Sequence, residues 1–155
     1  MRRRAPVVLI VLILALIVTW LLVTRNAAPP QDLALGPNAV ELGATVYAEN
    51  CADCHGVDLA GEPGFNWRQR KPDGTFPGPP HDETGHTWHH PDGLLIEMIT
   101  KGGAQFLGGR GVSTMPGFED ILSEREIASV LAFIKSAWPE RIQDRQRQAT
   151  EVARE

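Results

Sequence analysis

This 155-residue chain has no sustained alternation of apolar and polar residues and no internal repeat. Strands therefore leave no signature in it, and repeat architectures are excluded. Cysteine is nearly absent: Cys51 and Cys54 are the only two, followed at once by His55 in the run NCADCHG. A tetrahedral zinc site would need two more donors than that motif supplies. A thioredoxin-like dithiol belongs in a βαβ setting, which the missing strand signal removes, and a bare disulfide has no use for the histidine. Basic residues are also scarce away from the ends. From Gln31 to Trp138 there are 15 acids against seven bases, an excess that terminal arginines hide in the whole-chain charge of −4. That sign argues against nucleic acid; a solvated acidic face and a face that docks to a basic patch on a redox partner both fit it.

The apolar residues are concentrated at one end. Pro6 to Val23 carry no charge, MRRR precedes them and Arg25 follows. At 1.5 Å per residue this run makes a helix of roughly 27 Å, close to the hydrocarbon thickness of a bilayer. A cleaved export signal has a shorter apolar stretch, about 7–15 residues, and a small-residue cleavage site. Here proline follows the alanines of RNAAPP, which makes a poor site. Residues 1–25 are therefore expected to form an uncleaved single-pass anchor. Three arginines before the helix against one after it hold the N-terminus in the cytoplasm. The expected location is a bacterial inner membrane with the remainder in the periplasm. In that oxidising compartment a lone CxxC would close unless something captured it.

Residues 26–37, rich in alanine and proline, read as a linker, 38–138 as the folded domain, and 139–155 as a charged tail. Asn38 to Asn50 has a helical pattern with Asn38 as N-cap, Glu41 at the capping-box position and Val40, Leu42, Val46 and Tyr47 apolar. Gly56 to Pro91 is long and irregular, which inside a compact domain points to organisation by a large buried cofactor. Asp92 to Lys101 is a short amphipathic helix with Leu94, Leu95, Met98 and Ile99 on one face. After a glycine-rich loop, Ser123 and Glu126 form a second capping-box pattern ahead of a helix that stops at Pro139. The tail balances four acids against four arginines and is expected to be a solvated, frayed helix or disordered.

Of the uses for CxxCH, covalent attachment of haem c accounts for all three residues. Both thiols add to the vinyl groups and the adjacent imidazole becomes the proximal iron ligand. From Val40 to Trp138 the chain resembles the class I mono-haem c-type cytochromes. Gly43 and Tyr47 precede Cys51 by eight and four residues, where that family has a glycine and an aromatic on its first helix. Phe133 and Ile134 resemble the aromatic–aliphatic pair of its last helix, and Thr114 to Phe118, TMPGF, its distal-ligand motif. The resemblance implies an all-α cytochrome c fold, small helices around one covalently bound haem, with those two helices crossing at the glycine. Met115, on a loop stiffened by Pro116, is expected as distal ligand ahead of a histidine or of Met98, which lies on a regular helix face. Leu94, Leu95 and Met98 are expected to line the pocket. Pro63 or Glu62 loosely matches the family's turn that supplies a carbonyl to the proximal histidine, and Trp67 or Trp88 could donate to a propionate.

One loop departs from the simplest family pattern. His81, His86, His89 and His90 fall within ten residues, with Asp82, Glu83 and Asp92 interspersed. A copper or zinc site there is one reading, and a polar surface loop beside the haem edge the other. The function expected is a membrane-tethered electron carrier, not an enzyme, exchanging electrons with a quinol-oxidising cytochrome complex and a terminal oxidase. The alternatives are a fixed haem subunit of such a complex, a metal-handling cytochrome using the histidine loop, and a haem enzyme or sensor with a labile distal ligand.

Overall fold

A computed structural model describes residues 38–108 and 112–155, together with Ile13. The expected anchor and linker, apart from Ile13, lie outside the described residues. Among the described residues no helix is long and apolar enough to cross a membrane. The chain divides into two compact units, Met1–Leu33 and Ala34–Glu155. The second contains α1 (Ala39–Asn50), α2 (Ala52–His55), α3 (Asp92–Lys101), α4 (Glu124–Ser136) and α5 (Glu140–Val152). Short 3₁₀ turns occupy Thr87–His89 and Ala104–Leu107. The described residues contain no strand, only an isolated parallel bridge between Thr75 and Val112.

α1 turns Ala39, Gly43, Val46 and Tyr47 inward, a spacing of four, three and one that keeps one face of a helix buried. Val40, one of the apolar positions of the expected helical pattern, is exposed. Asn38 stands at the N-cap position, but its side chain makes no capping bond, so the expected box with Glu41 does not form. The box at α4 does form: Glu126 N–H donates to Ser123 Oγ at 3.3 Å, and Ser123 N–H donates to the Glu126 carboxylate at 2.8 Å. α1 and α4 cross with their backbones in contact. A Cβ on Gly43 would stand 1.9 Å from the carbonyl oxygen of Ser129 and 2.9 Å from Phe133 Cβ. Around that crossing Val46, Tyr47, Ile127, Val130 and Ile134 pack with Leu59, Phe118 and Trp138 into one core.

The tail differs from its expectation. Residues 140–152 form α5, and Ile142, Gln146 and Thr150 are buried. Ile142 is the apolar anchor, and the rest of the inward face is polar. Gln146 Nε2 is shared among Asp92 Oδ1 (2.6 Å), the His90 carbonyl (3.2 Å) and Thr150 Oγ1 (3.1 Å). Thr150 Oγ1 in turn accepts from the Asp92 N–H at 3.1 Å, and Lys135 Nζ donates to both Asp92 oxygens. A helix with few apolar residues is held by these polar contacts inside the fold, each of which would cost about 1–3 kcal/mol if left unmade, although Gln146 Oε1 is enclosed without a partner.

Candidate functional site

α2 is a single turn that continues α1 almost without a break. Cys51 N–H donates to the Tyr47 carbonyl, and Cys54 and His55 N–H both donate to the Cys51 carbonyl. One turn separates the two thiols and sets the imidazole directly after the second. Gly56 ends the turn at φ 79°, a left-handed backbone that favours glycine. Its carbonyl and that of His55 accept from the Tyr47 hydroxyl at 3.2 and 3.4 Å, so the family-like aromatic pins the end of the motif. Cys51 is partly buried, and burial, with Cys54 beside it, pushes its thiol up to about 11. Cys54 is exposed.

His55 is buried, and its Nδ1 lies 2.8 Å from the carbonyl oxygen of Pro79. A carbonyl can only accept, so Nδ1 carries the proton and Nε2 keeps the lone pair that a metal would need. Burial lowers the pKa of the ring, against the opposing pull of the Pro79 carbonyl and the Glu62 carboxylate. The acceptor is therefore Pro79 and neither Pro63 nor Glu62, the two expected near this position. Glu62 is engaged elsewhere, with Lys71 and with the backbone of Gly78. Gly78 itself packs against α2, where a Cβ would come 1.9 Å from the Cys54 carbonyl oxygen.

Met115 lies in the extended segment before Phe118. Its N–H donates to Ser113 Oγ, and its carbonyl accepts from Gly103 N–H. Phe118 is buried and its N–H reaches the carbonyls of Ile99 and Thr100 at the end of α3. Met115, Ile96 and Ile99 are partly buried and packed on the core. Leu95 is the buried residue of α3, while Leu94 and Met98 are half-buried.

The four loop histidines part company. His81 stacks on His55, ring centroids 4.0 Å apart and planes within 19°. Its Nδ1 is enclosed without a partner, and burial pushes the ring well below its ordinary pKa. Its carbonyl accepts from Trp138 Nε1 at 2.7 Å. His86 stacks on Trp67 at 4.9 Å and meets the edge of His90 at 5.3 Å, while His89 stacks on Trp88 at 3.6 Å. Trp88 Nε1 donates to the Glu83 carbonyl, so its N–H is engaged there. Among the described residues no three His, Cys, Asp or Glu side chains are grouped to hold a metal ion. Sequence reasoning missed Pro79, Trp138 and Gln146, none of which carries a local signal of its role.

The family model for cytochrome c matches residues 40–138, well over half of the chain. The chain belongs to the cytochrome c family. The cbb3-type cytochrome c oxidase subunit CcoP of Rubrivivax gelatinosus is 46% identical to it over 37 residues. Those residues are 24% of this cytochrome and 12% of that relative, so the chain covers only a small part of the relative's length. No solved structure matches it.

A cytochrome c domain carries covalently bound haem c, and this cytochrome has the groups for it. Cys51 and Cys54 stand one turn apart in the CxxCH position, next to an imidazole whose tautomer leaves Nε2 free to ligate. Met115, Ile96 and Ile99 are partly buried against the same core that packs Tyr47 and Phe118.

Proposed function

We propose that this cytochrome is a membrane-tethered carrier of single electrons, with His55 and Met115 as the axial ligands of its haem. One observation supports the reading most: the buried His55 donates from Nδ1 to the Pro79 carbonyl, which leaves Nε2 with the lone pair that ligation needs, beside the two attachment thiols. When bound, haem c supplies an iron that alternates between ferric and ferrous states, a one-electron exchange. The chain's own residues supply the rest. Cys51 and Cys54 would hold the group, Pro79 fixes the imidazole, and Met115 would supply the second donor, leaving no seat for a substrate. Leu94, Leu95, Met98 and Ile99 exclude water from the pocket.

The anchor, residues 1–25, holds the domain on the periplasmic side of a bacterial inner membrane, and the linker, 26–37, keeps it near membrane complexes. The partners are a quinol-oxidising cytochrome complex and a terminal oxidase. The likeness to a subunit of a cbb3-type oxidase supports the oxidase side of that pair, and it equally supports a fixed haem subunit of such a complex. Carbon monoxide separates the carrier from a gas sensor or peroxidase. The reduced protein should keep its Soret and α bands under carbon monoxide, because the distal seat is taken. A stoichiometric carbon monoxide adduct forming at once at neutral pH would overturn the carrier reading.

A further inference from the structure

The segment from Glu62 to Pro79 is long and irregular, yet it is tied at defined points. Glu62 holds Gly78 from both sides. Its N–H donates to the Gly78 carbonyl at 2.9 Å, and its Oε2 accepts from the Gly78 N–H at 3.1 Å. Lys71 Nζ donates to the two oxygens of the same carboxylate at 3.0 and 3.2 Å. Lys71 is itself fixed by a tight turn, its N–H on the Thr75 carbonyl and its carbonyl accepting from Gly74 N–H. The side chains of Lys71 and Glu62 are only 18% and 21% exposed, unlike the freely solvated pairs that contribute almost nothing. The chain then passes from Gly78, pressed on the Cys54 carbonyl, to Pro79, whose carbonyl receives the proton of His55 Nδ1.

Two charges therefore lie one residue from the acceptor of the proximal histidine. The carboxylate accepts one hydrogen bond from the Gly78 N–H, the Glu62 backbone N–H makes a second to the Gly78 carbonyl, and Lys71 fixes the carboxylate. A negative charge in this place also favours positive charge at His55. Partners beyond the ligands themselves set how strongly a histidine donates to its metal. Fixed charges near a redox centre favour one oxidation state over the other.

We propose that Glu62 and Lys71 are positioning residues for the proximal ligand, and that each charge shifts the reduction potential of the haem, the two in opposite directions. The inference rests on the ligation by His55 proposed above. Nothing in it requires the pair to touch the haem.

The test uses the matured, haem-loaded protein with Glu62→Gln, Lys71→Met and the double variant, and reads the midpoint potential by optical redox titration. Glu62→Gln removes negative charge that stabilises the ferric state, so its midpoint should rise. Lys71→Met removes positive charge, so its midpoint should fall. The double variant should return close to the wild type, and all differences should shrink as salt screens the charges. A pair serving only as a loop staple would move both single variants in the same direction, and that result, or no shift in either, overturns the proposal. Should Glu62→Gln fail to mature, the sign of the Lys71→Met shift decides alone: a fall supports the proposal, and a rise or no change overturns it. A low-spin, histidine-ligated wild type with same-sign shifts would sink this inference and leave the ligation standing. A wild type without that signature would sink both.

Discussion

At the scale of single residues the imidazoles divide by what surrounds them. His55 is held by Pro79 on its Nδ1 side and has His81 stacked against its face. Farther along the loop, burial lowers His86 and His90 from the ordinary 6.5, with their charged neighbours adding to the effect. Both therefore stay neutral in the folded protein at a pH where the unfolded chain has begun to take up protons. A depressed histidine favours folding above the ordinary value, and that contribution is lost as pH falls from 6.5 toward the folded value. Denaturant titrations of the haem-loaded protein should show stability falling below about pH 6.5. Replacing both His86 and His90 by Gln should flatten that part of the slope. An unaltered slope would place the sensitivity in other groups. The sequence revealed that these histidines cluster but not that they divide, because each ring's partner (His55, Trp67, Trp88) is set by the path of an irregular loop. The Pro79 carbonyl was hidden for the same reason. It belongs to the backbone, and any residue carried to that point could offer one.

Between elements, the crossing of α1 and α4 is the contact most open to test. Gly43 is the residue that permits it, since any side chain would meet the carbonyl of Ser129, a backbone atom that cannot swing away. Gly43→Ala adds helix propensity worth about 1 kcal/mol, but the Cβ must push two packed helices apart, which costs about 1–3 kcal/mol. With a contact as close as 1.9 Å the steric term should win, and the variant should unfold at lower denaturant concentration. Equal or greater stability would contradict the backbone crossing. This much was legible beforehand through the resemblance, because Gly43, Tyr47, Phe133 and Ile134 stand where the class I cytochromes c cross their first and last helices. The docking of α5 was not legible. Its buried face holds Gln146 and Thr150, which look like surface residues until Asp92 and the His90 carbonyl, more than fifty positions earlier, are seen to receive them. Asn38 was a third case: it has the residue type and position of a cap but makes no side-chain bond.

For the molecule as a whole, membership of the cytochrome c family and the acidic excess between Gln31 and Trp138 together describe a haem protein with an acidic domain. α5 adds no net charge to that excess but closes over the histidine loop. Arg141 pairs with Glu83, and Arg145 lies over the ring of Trp88. The haem c chemistry could be read from five consecutive residues, whereas the frame that holds them in place came from contacts spread over the entire domain. The central claim is an iron held between the nitrogen of His55 and the sulfur of Met115, passing one electron at a time. An optical redox titration of the haem-loaded protein tests it most directly. The account predicts a reversible one-electron transition and, in the oxidised form, the weak red band of sulfur-ligated ferric iron. That band should disappear in Met115→Ala and persist in Met98→Leu. A wild-type spectrum without the band, or one that keeps it when Met115 is replaced, would contradict the account.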